Sequence, residues 1–192
     1  MESIDKKKAL SRWFAENANW FVVFTRTREE QKIADRLQSK LDGEKYVVFV
    51  PTKDYAYTKD KVTTIIQKPW ISGYVFIAAT VTPKEFLETV KPLFCTETNV
   101  YKILSNDGQF ESIQLSRRDK GIMTKILNEN FNIPALEAVL EGDRVRIIDN
   151  ALAGMNAEVV KVNKKRQTAV LMMEFLERRM ECEIALEFVI KD

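Results

Sequence analysis

The hydrophobic pattern of this chain changes type near Pro134, and this change constrains the fold more than any other feature. Before it, continuous apolar runs at residues 20–25 (WFVVFT) and 74–79 (YVFIAA) alternate with stretches whose apolar residues recur at helical spacing. After it, only short strand-like runs follow, with turn residues between them. The sequence therefore predicts two domains of different classes.

The first domain is predicted to contain strands and helices in the order β-α-β-β-β-α-β, followed by a third helix. Thr27 stands three residues before Glu30, which is the spacing of a capping box at the start of a helix. Pro83 predicts the first turn of the second helix, and residues 55–61 predict a polar hairpin tip. This order is typical of an α+β fold in which helices pack on a ferredoxin-like antiparallel sheet.

The second domain is predicted from about five short strands in roughly fifty residues, the pattern of a small SH3-like β-barrel. The segment 128–138 interrupts the helical period and is the predicted linker. The sequence thus divides into a polar extension (1–19), the first domain (20–127), the linker and the barrel (139–192).

The chain contains no histidine, and this absence removes most familiar catalytic sites. Catalytic triads and most catalytic zinc sites need imidazole. Cys95 and Cys182 form no Cys-x-x-Cys motif, so two buried reduced thiols are predicted, with a disulfide as the alternative. We also find no phosphate-binding glycine loop and no clustered carboxylate pair. No catalytic residue, metal ligand or cofactor is therefore predicted, and the protein is expected to act by binding.

Location and global charge give weaker constraints. No apolar run approaches the length of a membrane-spanning helix, and the lysines at positions 6–8 precede no apolar segment of a secretory signal. A cytoplasmic protein without a membrane partner is expected. The net charge of +2 creates no global basic field, so any nucleic-acid binding must depend on local clusters.

Two motifs carry most of the functional information. In residues 68–77 (KPWISGYVFI), Gly73 predicts a bend that holds Trp70 and Tyr74 on one side, although core packing with a β-bulge explains such patterns in most proteins. In residues 141–162, a Gly-Asp turn, a strand, a glycine-containing loop and a second strand follow one another. As the alternative, this second motif is a pattern that any SH3-like barrel can show.

Together these motifs resemble the NusG family of transcription elongation and antitermination factors, over residues 20–192. Ser72 stands where the family often has proline, and Asn156 stands where its KOW motif often has a second glycine. The similar segments are the opening strand at 20–23, the Val-Pro at 50–51, the aromatic-Gly-Tyr-Val segment at 70–76, the KOW motif at 141–162 and Phe175-Leu176.

The resemblance implies a function as well as a fold. Family members use an N-terminal NGN domain to bind the clamp helices of RNA polymerase in an apolar cavity, which Trp20, Trp70, Ile71 and Tyr74 would line or support. Their KOW domain recruits RNA, a ribosomal protein or a termination factor. The long hairpin tip and the sequence around residues 52–57 depart from housekeeping members, and the whole chain is more similar to a specialised paralogue, of the LoaP or another operon-specific antiterminator kind. A monomer is expected.

Two basic clusters in predicted barrel turns are candidates for binding nascent RNA, for example a leader hairpin. Solvated turns are the alternative, and the barrel would then bind a protein through Phe175 and Leu176. Phosphate binding by both clusters would require them to converge in space. A stand-alone RNA-binding protein that does not associate with polymerase is the alternative function. The residues of the clusters are Lys164, Lys165 and Arg166 in one turn, and Arg178 and Arg179 in the other.

Overall fold

A computed structural model describes residues 17–60, 62–105, 113–141, 144–148 and 157–189. Most of the predicted N-terminal extension lies outside these residues, as do Gly142, Asp143 and the 149–156 loop of the KOW motif. The described strands and helices are, in chain order, β1 Asn19–Thr25, α1 Glu30–Lys40, β2 Tyr46–Phe49, β3 Thr52–Lys59, β4 Val62–Pro69, β5 Tyr74–Ala79, α2 Pro83–Thr96, β6 Val100–Ile103, α3 Arg117–Ile126, β7 Asn132–Ile133, β8 Leu136–Glu141, β9 Arg144–Ile147, β10 Glu158–Asn163, β11 Thr168–Phe175 and β12 Arg178–Phe188.

The chain divides into two compact units that do not follow the chain order. The first unit comprises Met1–Pro51, Ile71–Lys120 and Glu129–Phe131; the second comprises Thr52–Trp70, Gly121–Asn128 and Asn132–Asp192. The β3–β4 hairpin, which the sequence placed in the first domain, is thus part of the second unit. The predicted linker at 128–138 contains β7 and the start of β8. The functional domain boundary there stays a prediction.

The first unit is a four-stranded sheet with helices on one face. Its strand order is β2-β5-β1-β6, and every pairing in it is antiparallel. Alternate residues of β1 and β5 point to α1 and α2, and the rings of Phe21 and Phe86 stack with centroids 3.6 Å apart. Ile33 and Leu37 of α1 are fully buried in the same core. Each such side chain stabilises the fold by about 1.5–3 kcal/mol.

Helix starts show where local sequence signals succeed and fail. The side chain of Thr82 accepts from the N–H of Glu85, and Glu85 accepts from the N–H of Thr82, so α2 begins in a capping box with Pro83 in its first turn. The predicted cap of α1 is wrong, because that helix begins at Glu30 and has no side-chain cap. Thr27 lies in the preceding turn, and Glu30 makes a tertiary contact instead.

The second unit contains the strands of a small, nearly closed β-barrel. They follow the order β10-β11-β12-β8-β9, with β12 and β8 parallel and the other pairs antiparallel. A second sheet of the same unit has the order β4-β3-β7. The predicted α+β fold with a C-terminal barrel is confirmed. The predicted hairpin tip is wrong in extent, because residues 55–59 belong to β3.

A buried amide joins the hairpin to β7 within the second unit. Asn132 accepts from the hydroxyl of Thr52 (2.8 Å) and donates to a carboxylate oxygen of Asp54 (2.8 Å). The other carboxylate oxygen of Asp54 accepts from the N–H of Ala135 (3.1 Å). Because Asn132 is buried, each of these bonds would leave an unsatisfied group if broken, at a cost of about 1–3 kcal/mol.

The end of α2 gives a test of stability in the first unit. Glu97 follows α2 and accepts from Lys40 and Arg36 of α1. The bond from Lys40, followed by that from Arg36, holds the pKa of Glu97 below its usual value. A lowered pKa stabilises the fold above the unfolded-state pKa, and that contribution is lost as the pH falls through the folded-state pKa.

We therefore predict that Glu97→Gln lowers the free energy of unfolding by up to about 1 kcal/mol at neutral pH. At a pH below the folded-state pKa of Glu97, where the carboxyl group is protonated in both states, the difference from the parent protein should vanish. Urea denaturation at the two pH values measures both numbers. Glu88→Gln, at an exposed position of the same helix, is the control. An equal destabilisation by Glu97→Gln at both pH values would contradict the prediction.

Candidate partner-binding surface

A left-handed backbone at Gly73 shapes the start of β5. Its φ is +82°, and a Cβ atom there would lie 3.3 Å from the carbonyl oxygen of Thr25 and 3.4 Å from the ring of Phe24. The buried carboxylate of Glu30 accepts from the N–H of Gly73 (2.6 Å), and the carbonyl of Gly73 accepts from the N–H of Thr25 (2.8 Å). Both polar groups of this glycine are thus satisfied, and the predicted bend is present.

The sheet face opposite α1 and α2 carries a run of aromatic side chains. At one end the rings are buried: Trp20 meets Phe49 edge to face (5.2 Å), and Phe49 stacks on Phe131 (3.9 Å) and Phe76 (5.7 Å). Trp20 is 2% exposed, and its indole N–H has no acceptor among the described residues. Trp20 therefore packs in the buried end of this face and does not line an open cavity in this structure.

At the other end the same face opens to solvent. Phe24 and Tyr74 are directly opposite each other in β1 and β5, with ring centroids 5.5 Å apart, and Tyr101 of β6 lies 5.3 Å from Phe24. Phe24 and Tyr74 are half-buried, whereas Tyr101 is 57% exposed. We call Phe24, Tyr74 and Tyr101 the aromatic patch. Exposed aromatic side chains clustered in this way are typical of protein-binding surfaces.

Cationic side chains flank the aromatic patch. Lys102 is exposed and pairs with Phe24 across β1 and β6, and Arg26 follows Phe24 by two residues. Arg26 is exposed and lies 3.7 Å from the carboxylate of Glu29. An apolar centre with a polar rim is the usual anatomy of an interface between proteins. Of the predicted polymerase-binding residues, Tyr74 lies in this patch, and Ile71 is buried in the preceding bend.

Trp70 has a different environment, within the second unit. Its ring lies 4.7 Å from that of the fully buried Phe175, and its indole N–H donates to the sulfur of Cys182 (3.2 Å). Burial raises the pKa of the Cys182 thiol, so this cysteine stays protonated at neutral pH. The prediction of a buried thiol is thus confirmed for Cys182. It is wrong for Cys95, which is exposed; both cysteines are free.

The two basic clusters are exposed, but the structure does not bring them together. One cluster, Lys164, Lys165 and Arg166, lies in the turn before β11. The other, Arg178 and Arg179, lies at the start of β12, beyond the turn that follows β11. Because β11 has eight residues, about 25 Å of strand separates the clusters. They therefore form two separate basic sites.

Two residues of the aromatic patch were missed by sequence reasoning. Phe24 is four residues after Trp20 in β1, so strand alternation places both on one face and could have identified it. Tyr101 could not be found in this way, because its position beside Phe24 depends on a register shift between β1 and β6. Local sequence carries no signal for such a shift.

Comparison with known families identifies the N-terminal part of the chain. Residues 18–121 match the family profile described as "NusG: Transcription termination factor nusG". The chain belongs to the NusG family. This membership assigns it to transcription elongation and confirms the resemblance drawn from the sequence motifs. The comparison with curated proteins found no match.

One solved structure supports the NusG fold. The chain is similar to Thermotoga maritima NusG, from a structure titled "Domain interaction in Thermotoga maritima NusG", with a TM-score of 0.54 and 15% identity over 89% of this chain and 95% of that one. It also aligns with a chain of an MjSpt4:Spt5 complex, at 16% identity over 84% and 90% of the two chains, with a TM-score of only 0.28.

The described residues contain neither a metal-binding cluster nor a membrane-spanning helix. In the described ranges, no three histidine, cysteine, aspartate or glutamate side chains are grouped so that they could hold a metal ion. No helix among the described residues is long and apolar enough to cross a membrane.

A pair of glycine substitutions tests the bend that precedes the aromatic patch. We predict that Gly73→Ala lowers the free energy of unfolding by about 1–3 kcal/mol, because alanine disfavours a positive φ and its Cβ approaches backbone oxygen. Gly121→Ala is the matched control. Its Cβ meets nothing within 4 Å in α3, so it should stabilise by about 0.5–1 kcal/mol. Denaturant titrations that show the same sign for both variants would contradict this account.

Proposed function

We propose that this protein is a NusG-type elongation factor that binds RNA polymerase through the aromatic patch. The observation that carries the proposal is the open end of the aromatic sheet face, in a unit that matches the NusG profile. The partner surface is the pair of clamp helices that the family resemblance implies. Helices offer the ridge of apolar side chains that an aromatic surface can bury.

The arrangement supports binding without chemistry on a substrate. Tyr74, Phe24 and Tyr101 would supply most of the affinity, since buried aromatic side chains dominate most interfaces between proteins. Arg26 and Lys102 would select a partner with acidic groups around its apolar ridge. Trp20 would act from the buried end of the same face, by keeping the sheet rigid. The bound factor would hold the clamp closed and oppose pausing, with suppression of termination as the outcome in a specialised paralogue of the LoaP kind.

Trp70 requires a separate account under this proposal. Its ring is buried against Phe175 within the second unit, so it contributes to polymerase binding only if that contact opens. Ile71 is almost buried and would act by shaping the bend before Tyr74. We therefore assign direct contact to Tyr74 and its two aromatic neighbours, and a supporting role to the other residues proposed from the sequence.

For the barrel, we propose RNA binding at the turn formed by residues 164–167. Lys164, Lys165 and Arg166 are consecutive and exposed, and three cations in one turn can contact adjacent phosphates. Arg178 and Arg179 would form a second, independent contact at the other end of β11. The alternative partner is a ribosomal protein or a termination factor. Phe175 is fully buried, which leaves Leu176 as the more accessible of the two apolar residues named for such a contact.

Polymerase binding is tested by a pull-down with purified RNA polymerase after nuclease treatment. We predict that Tyr74→Ala and Tyr101→Ala each weaken binding by roughly fivefold to thirtyfold, because each removes about 1–2 kcal/mol of aromatic contact. Leu140→Ala, which removes another exposed apolar side chain far from the patch in sequence, should bind like the parent protein. The proposal fails if all three variants bind equally well. Binding that disappears with nuclease would instead support the stand-alone RNA-binding protein.

RNA binding by the barrel turns is tested by filter binding of the full chain to a structured leader RNA over a range of salt concentrations. We predict that changing Lys164, Lys165 and Arg166 together to alanine makes the plot of log affinity against log salt less steep. The magnitude of its negative slope should fall by about two, as expected for three phosphate contacts. The Arg178→Ala, Arg179→Ala pair should lower it separately and additively. Unchanged slopes in both variants would remove the turns from the RNA site.

A further inference from the structure

The β3–β4 hairpin presents a face that the proposed function does not use. Residues directly opposite each other in an antiparallel pair share one face. The register therefore places four pairs on the same side, which we call the tyrosine–lysine face. Its pairs are Lys53 with Lys68, Tyr55 with Ile66, Tyr57 with Thr64, and Lys59 with Val62.

The opposite face of the hairpin is the one that is anchored. Ala56 is buried, and Thr52 and Asp54 make the hydrogen bonds to Asn132 described above. On the tyrosine–lysine face, by contrast, Tyr57 is 45% exposed, Val62 is 62% exposed, and Lys59 is exposed. The tyrosine–lysine face is therefore accessible at its outer pairs, Tyr57 with Thr64 and Lys59 with Val62, and partly buried at Lys53, Tyr55 and Lys68.

Charge is segregated between these two faces. The tyrosine–lysine face carries three lysines and no carboxylate. Of the carboxylates in the hairpin, Asp54 lies on the anchored face, and Asp60 lies in the turn with a φ of +51°. The face therefore presents a net charge of +3 on a strand pair within a protein whose overall charge is only +2. A ligand for this face should be an anion.

One cross-strand pair is unfavourable for the stability of the sheet. Lys53 and Lys68 are directly opposite, and like charges in that position destabilise a sheet. The ammonium of Lys68 lies 3.4 Å from the centre of the Tyr55 ring, a cation–π contact that offsets part of this cost. Pairs that oppose local stability tend to mark functional positions. An anion between the two lysines would remove the repulsion.

The tyrosines specify what kind of anion fits. Tyr55 and Tyr57 are two residues apart on one strand, so their side chains are about 7 Å apart on the same face. Flat π surfaces beside lysines are the combination that binds single-stranded nucleic acid, in which bases stack and phosphates pair with cations. A duplex keeps its bases stacked inside and cannot use the rings. An acidic peptide would satisfy the lysines but would leave the rings without a matching partner.

We propose that the tyrosine–lysine face binds single-stranded RNA, with a base stacked on Tyr57 and phosphates paired with Lys59 and with the Lys53–Lys68 pair. RNA is the occupant because long unpaired strands in cells are mostly RNA. This site is separate from the barrel turns and from the aromatic patch, and it needs no polymerase. It therefore goes beyond the proposed function and can fail independently of it.

The test measures fluorescence anisotropy of a labelled oligouridine of about twelve nucleotides with the full chain. Tyr57→Ala should weaken binding about tenfold or more, because it removes one stacking surface. Tyr57→Phe keeps the ring and should bind within about twofold of the parent protein. Thr58→Ala changes the opposite face of the same strand and should leave affinity unchanged. Lys59→Gln should reduce the magnitude of the slope of log affinity against log salt by about 0.7, the contribution of one phosphate on a single strand.

Two further arms separate this site from its alternatives. The loss caused by Tyr57→Ala should persist when Lys164, Lys165 and Arg166 are already alanine, since the barrel turns are a different site. Duplex RNA should bind at least about tenfold more weakly than oligouridine, because its bases are unavailable for stacking. Parent-like binding by Tyr57→Ala, equal binding of duplex and single strand, or tighter binding of single-stranded DNA than of RNA would each overturn the proposal. Circular dichroism of each variant verifies that its fold is intact.

Discussion

The hydrogen bond from the N–H of Gly73 to the carboxylate of Glu30 is the interaction on which the candidate partner surface depends. It fixes a positive φ at the residue that leads into β5, and β5 carries Tyr74 into register with Phe24. A carboxylate in the first turn of α1 also lies at the positive end of the helix dipole, which stabilises the helix. The Glu30 side chain thus stabilises the start of α1 and the bend at Gly73, and through that bend it positions Tyr74.

The two units differ in where their polar groups are paired. In the first unit the α1–α2 faces and the sheet form an apolar core, and polar contacts such as Glu97 with Arg36 lie near its edge. In the second unit a buried asparagine, Asn132, joins strands distant in sequence. Burial of an amide is tolerable only when its groups are paired. The position of the hairpin is therefore specified by hydrogen bonds as well as by apolar contact.

Sequence reasoning recovered the elements better than their assembly. The apolar runs of β1 and β5, the capping box at Thr82 and the short strands of the barrel were visible as local patterns, and the fold class followed from them. The membership of the β3–β4 hairpin was not visible, because it depends on β7 pairing with β3 across about eighty residues. Trp70 illustrates the same limit: its motif was compatible with an apolar cavity and with core packing, and only the contact with Phe175 shows that the ring is buried. Strand alternation recovers Phe24 once β1 is known, whereas Tyr101 depends on a bulge.

The distribution of tryptophan has an optical consequence. Trp20 and Trp70 are the two tryptophans among the described residues, and they belong to different compact units. The ring of Trp20 packs against that of Phe49, whereas the indole of Trp70 lies beside a thiol, a group that commonly quenches indole emission. Each unit therefore contains its own fluorophore in a distinct environment. Emission from Trp70 should brighten when the sulfur of Cys182 and the indole separate. Tryptophan fluorescence can therefore report local unfolding of the second unit.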